Sequence, residues 1–124
     1  EFVVNPQPER GRFSSIQLSI NTLKSNNSVF IHNVDNPFLN QDLLQNLAKN
    51  LQSDYIHPVY QNKGGHPILI STSIAKQINT APENQDFKIL LSRFRKQTLE
   101  VDDPKIIANI NTPDAYQFWL DCKV

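Results

Sequence analysis

The chain has 124 residues, enough for one domain with one modest core, and its 12 acidic and 12 basic side chains cancel. That balance argues against a dedicated nucleic-acid binder, which carries a basic excess, and no run of about 18 apolar residues is present to span a bilayer. The single Cys122 has no partner for an internal disulfide and no metal-spaced companions, which suits a reducing, cytoplasmic setting. The opening Glu1-Phe2 lacks the charged and then apolar character of a secretion signal. Methionine is absent, so either the initiator was removed or a natural N-terminal region is not included.

In chain order, Val3 and Val4 read as the end of a strand stopped by Asn5-Pro6 and Pro8, because proline and its predecessor leave regular pairing. Gly11 gives a turn, and Ser14 or Ser15 can cap a helix with Ile16, Ile20 and Leu23 on one face. Residues 25–28 are a polar break. Residues 29–34 read as a mostly buried strand, with Asp35 at its C-terminal end and Pro37 barring simple continuation. Asn40 can cap a helix whose buried stripe is Leu43, Leu44, Leu47 and Leu51. Residues 55–60 form a strand, Asn62-Lys63-Gly64-Gly65 has hairpin chemistry, and 67–70 return.

Ser71 or Ser73 starts a short helix through Ile74 and Ile78, and residues 86–97 place Phe87, Leu90, Leu91 and Phe94 at helical spacing. Residues 98–101 and 106–110 read as short strands. Thr112-Pro113-Asp114 is a helix start: threonine caps, proline fits the first turn, and the acid suits the positive end. Strands alternating with helices predict a layered α/β domain with a substantially parallel sheet, and such sheets hold ligands beyond their carboxyl ends. Asp35, Gly11 and Asn111 each follow a predicted strand, so convergence on one edge is expected.

Four segments carry candidate chemistry. In Val34-Asp35-Asn36-Pro37, a strand-end carboxylate can hold Mg²⁺, which favours carboxylate, water and phosphate ligands; the plainer reading is a turn aspartate before proline. In Gly64-Gly65-His66-Pro67, bare backbone permits close approach of a ligand and His66 can donate a hydrogen bond; the plainer reading is a hairpin with an exposed histidine. Gly11-Arg12-Phe13-Ser14-Ser15 offers helix amides to an anion, or is ordinary capping. Asn111 can contribute an amide oxygen, or belong to a strand-to-helix turn. His32, His57, Cys122 and the Arg93, Arg95, Lys96 cluster read more simply as structural or solvated groups.

Taken in order, Val4-Asn5-Pro6, Gly11 with Ser14-Ser15, Val34-Asp35-Asn36-Pro37, Gly65-His66-Pro67 and Asn111-Thr112-Pro113-Asp114 resemble the molybdenum cofactor cytidylyltransferase family and its close nucleotidyltransferase relatives, over essentially the whole chain. The aspartate-x-proline strand end followed by a glycine-histidine-proline hairpin is the more specific part. The resemblance implies a Rossmann-like, glycosyltransferase-A type α/β domain. It implies Mg²⁺-dependent transfer of a nucleotidyl group from CTP, or in relatives GTP, to the phosphate of a molybdopterin-type acceptor. By that resemblance Asp35 is the catalytic Mg²⁺ ligand, Gly65, His66 and Pro67 belong to the acceptor-side pocket, and Gly11 and Ser15 lie near the same cleft. Asn111 falls where the family carries a polar, often acidic, residue; an amide is a weaker metal ligand than a carboxylate.

The family's first strand and its glycine-rich, triphosphate-binding loop have no counterpart in these residues. Residues 1–124 are therefore expected to be the C-terminal part of one nucleotidyltransferase domain. They would supply the metal and acceptor side, turn over little by themselves, and expose a sheet edge open to the missing segment or another chain. No nucleic acid or membrane partner is expected. Two alternatives stay open: a non-catalytic small-molecule binding or assembly module derived from this fold, and a nucleotidyltransferase for another acceptor such as a sugar phosphate.

Overall fold

A computed structural model describes residues 2–24 and 26–122. In chain order the elements are α1 (Arg12–Leu23), β1 (Val29–Ile31), α2 (Gln41–Asn50), β2 (Tyr55–Tyr60), β3 (Lys63–Gly64), β4 (Ile68–Ile70), α3 (Thr72–Thr80), α4 (Phe87–Leu91), β5 (Lys96–Glu100) and α5 (Pro113–Asp121), with short 3₁₀ turns at Pro8–Arg10 and Pro104–Ile107. Strand β2 organises the sheet. Along one edge it pairs antiparallel with β4 at Tyr55 and Ile56 and with β3 at Val59 and Tyr60; along the other it pairs parallel with β5. Strand β1 extends the sheet antiparallel to β4.

The pleat sends neighbouring residues to opposite faces, and two cores follow from that alternation. Tyr55 and Ile70 join Phe13, Ile20, Ile74, Ile78, Phe87 and Leu90 on one face, under α1, α3 and α4. Ile56 and Leu69 join Leu43, Leu47 and Ile106 on the other, under α2 and the second 3₁₀ turn. Each such side chain contributes roughly 1.5–3 kcal/mol when fully buried. Helices thus cover both faces, as the sequence predicts.

Several expectations are corrected. The sheet among the described residues is mixed and mostly antiparallel, because the 61–62 turn sends the chain straight back as a hairpin. A hairpin can only pair antiparallel, and the parallel partner β5 arrives after the crossover through α3 and α4. No strand forms at Val3 and Val4; Phe2 is 99% and Val4 84% exposed. Strand β1 stops at Ile31, and residues 34–35 turn. Helix α1 begins at Arg12 with Gly11 as its cap, at φ +93°, and the Ser14 hydroxyl donates back to the Gly11 carbonyl at 2.7 Å. Helix α4 ends at Leu91, since Tyr55–Val59 recruits residues 96–100 into parallel pairing. Residues 106–110 are not a strand: Pro104–Ile107 is a 3₁₀ turn capped by the Asp103 side chain. Of the polar break at 25–28, Ser25 lies outside the described residues.

The caps at Asn40, Asp86 and Thr112 follow residue chemistry. Each side chain accepts a hydrogen bond from the amide three residues on, at Leu43, Ile89 and Ala115. Among the described residues no helix is long and apolar enough to cross a membrane.

Candidate active site

The turn after β1 is built around Asn36, the one buried polar side chain among the described residues. Its Nδ2 donates to the carbonyls of Lys105 (3.0 Å) and Ile106 (3.2 Å), and its Oδ1 accepts from the Phe38 amide at 3.0 Å. The Asn36 amide donates to the Asn33 carbonyl at 3.2 Å, and the Ile110 amide to the Asp35 carbonyl at 2.7 Å. The backbone of Asp35 is thereby held from both sides. Its half-buried carboxylate receives no hydrogen bond among the described residues.

The glycine-histidine-proline hairpin reaches the same place. The His66 amide donates to the Ile106 carbonyl at 3.0 Å, and the Gly65 amide to the Pro58 carbonyl at 2.8 Å. Ile106 oxygen therefore receives both the Asn36 side chain and the His66 backbone. Two segments thirty residues apart, roughly, meet at one carbonyl with two lone pairs. The His66–Pro67 peptide is cis, and Pro67 is fully buried.

Gly65 fills a different role from the one its bareness suggests. A Cβ there would stand 2.5 Å from the Ile106 carbonyl oxygen, so the space belongs to backbone and not to a ligand. Gly65 and Pro67 are both buried within the hairpin. His66 and Gly11 line a cavity of about 440 Å³ whose rim includes Arg12 and Lys88 and whose walls include Phe13 and Phe87. Ser15 and Asp35 line an adjoining one of about 430 Å³, with Asn33 and Val34. Arg12 borders both, and its guanidinium also lies 5.8 Å from the Phe87 ring centre. Asn111 lines neither cavity; it is exposed and donates to the Asn109 side chain at 2.9 Å, next to the Ile110 amide that holds Asp35.

Burial first, then repulsion from Arg12 and from His32 and His57, holds the His66 pKa below the usual histidine value, against a smaller opposing pull from Asp35. Hydrogen bonds from Arg12 to Asn33 and between Asn33 and His66 bring the start of α1, the turn and the hairpin together. Asn36, Asn33 and the Ile106 carbonyl escape a reading of the sequence. An asparagine before proline marks a turn but not what its amide will bind, and a main-chain oxygen has no side-chain signature. Among the described residues no group of three or more His, Cys, Asp or Glu side chains is arranged to cage a metal.

The mixed sheet, with helices on both faces and two cavities beside the end of β1 and the start of β4, gives a Rossmann-like α/β domain. The chain belongs to the MobA-like NTP transferase domain family, whose model matches residues 1–101. It is similar to the molybdenum cofactor cytidylyltransferase of Escherichia coli (strain K12), 24% identical over 112 residues, which are 90% of this chain and 58% of that protein. Its fold is shared with Rv0371c from Mycobacterium tuberculosis H37Rv at a TM-score of 0.71 and 16% identity, over 90% of this chain and 60% of that one. It is also shared with molybdopterin-guanine dinucleotide biosynthesis protein A from Archaeoglobus fulgidus at 0.62 and 18%, over 87% and 60%. The chain thus spans about three fifths of the length of these relatives.

Proposed function

We propose that these residues form the metal and acceptor side of a nucleotidyltransferase that moves a nucleotidyl group from CTP or GTP to the phosphate of a molybdopterin-type acceptor. The observation that carries this is the meeting of the Asp35 turn and the His66 hairpin at the Ile106 carbonyl. Family membership and the Escherichia coli relative support the reaction class.

The chemistry asks for a cation. Attack of an acceptor phosphate on an α-phosphorus brings two anions together, and charge then develops on the departing pyrophosphate. Mg²⁺ takes one or two carboxylates, completes its octahedron with waters and substrate phosphates, and offsets that charge when bound. A single carboxylate left without a hydrogen-bond partner fits this donor set, and Asp35 would hold the ion. The remaining work falls to the chain. Arg12 places a permanent positive charge between the two cavities, and the Gly11 turn opens α1 with amides that favour an anion. Buried Gly65 and Pro67 keep the hairpin in register, and His66 shapes the acceptor side.

Titrating the chain with Mn²⁺ in the presence of CTP or GTP, and following paramagnetic broadening of amide signals, tests the metal assignment. Signals of residues 33–36 and 66 are expected to broaden first. In Asp35→Asn the apparent metal affinity is expected to fall on the order of 10- to 100-fold, the loss seen even when a group that merely supports a ligand is removed. Folding is expected to be unchanged, because that carboxylate holds nothing else. An identical titration in the variant removes Asp35 from the site. Little pyrophosphate release is expected from these residues alone with either nucleotide and a molybdopterin acceptor, and robust release would overturn their assignment to one side of the site.

A further inference from the structure

Three side chains link the start of α1, the turn before Asp35 and the hairpin. Arg12 Nη2 donates to Asn33 Oδ1 at 2.8 Å, and Asn33 Nδ2 stands 3.1 Å from His66 Nε2. A guanidinium carries only donors, so it fixes which end of the Asn33 amide is oxygen. The other end is an NH₂, which only donates. His66 Nε2 must therefore accept, and an accepting ring nitrogen carries no proton. The single proton of the neutral ring then sits on Nδ1. His32 is the mirror case: its Nε2 lies 2.6 Å from the Asn36 carbonyl oxygen, which only accepts, so there Nε2 carries the proton.

We propose that Asn33, anchored by Arg12, is a positioning residue that locks His66 as the neutral Nδ1–H tautomer and ties the hairpin to the turn bearing Asp35. The relay restricts what His66 can do. Its Nε2 lone pair is committed to Asn33, and its Nδ1 is buried without a partner among the described residues. Protonating Nε2 would break the Asn33 bond and set a second cation near Arg12. His66 thus gives the acceptor side shape rather than charge, and Arg12 is left as the cation that both cavities share. The catalytic value of this tie rests on the nucleotidyltransferase reading above, because it matters to turnover only where Asp35 and His66 serve one site.

Long-range ¹H–¹⁵N spectra of the histidine rings in the 124-residue chain report the tautomer directly and require no activity. In the wild type at neutral pH, His66 is expected to show an unprotonated Nε2 and a protonated Nδ1, with His32 showing the reverse as an internal control. Asn33→Asp replaces the donating amide with a group that only accepts. In that variant the His66 proton is expected to move to Nε2, and in Asn33→Ala both tautomers are expected together. A wild-type His66 protonated at Nε2, or a tautomer unchanged in both variants, overturns the proposal; if neither variant folds, the wild-type spectrum alone decides. A locked His66 in a chain that binds no Mn²⁺ upholds the relay and sinks the metal-site reading instead.

Discussion

The Ile106 carbonyl is the smallest part of the site and the one on which its assembly turns. It receives the Asn36 side chain and the His66 amide, and Gly65 packs against it with no room for a methyl group. Backbone cannot swing aside as the tip of a flexible side chain can. Gly65→Ala is therefore expected to lower stability by about 1–3 kcal/mol, the range for overpacking, as a fall in the urea midpoint at unchanged slope. Asp35 and His66 are legible in the sequence as parts of an ordered set of motifs. Their common anchor is not, since nothing in the letters of Pro104-Lys105-Ile106-Ile107 announces which main-chain oxygen will be shared.

Helix caps show how much local chemistry decides. Asn40 accepts from the Leu43 amide at 2.8 Å and starts α2, whose Leu43 and Leu47 are buried in the second core. Asn40→Ala is expected to cost about 1 kcal/mol globally. Thr112 caps α5 in the same way, yet α5 buries none of its residues. An element outside the core opens separately, so Thr112→Ala is expected to leave the global urea midpoint unchanged while speeding amide exchange in α5 alone. Equal effects of the two substitutions on the midpoint would contradict this division. The same contrast explains where α4 ends. The apolar spacing of residues 86–97 satisfies a helix throughout, but α4 ends at Leu91 and residues 96–100 join β2. Periodicity reports burial on one face and cannot report a strand waiting elsewhere in the chain.

At the scale of the whole molecule, charge burial links stability to pH. His57 and His66 both have folded pKa values below their ordinary 6.5, His57 through burial and then repulsion from Lys96. Below pH 6.5 the unfolded chain takes up protons that the folded chain refuses, so more protons are bound in the unfolded state and stability falls with acidification. Their contribution is complete above pH 6.5 and lost as pH drops toward the lowered folded values. The urea midpoint is expected to fall as pH is lowered from 6.5 toward 5, and to fall less steeply in His57→Gln. A midpoint that rises on acidification in this range would contradict the sign. The sheet adds a second whole-molecule property. Among the described residues β1 pairs on one side alone, with β4, and both its own Phe30 and the nearby Val34 are exposed.

By itself, the sequence determined the α/β layering, the caps at Asn40 and Thr112, and the order of motifs that marks the family, because each of these rests on local pattern or residue type. Tertiary structure alone decided that the sheet is mixed, that α4 gives way to β5, that Gly65 serves Ile106, and that Arg12, Asn33 and His66 join hands. Those outcomes depend on which distant backbone groups find one another, and hydrogen-bond partners between remote segments leave no periodic trace in the chain.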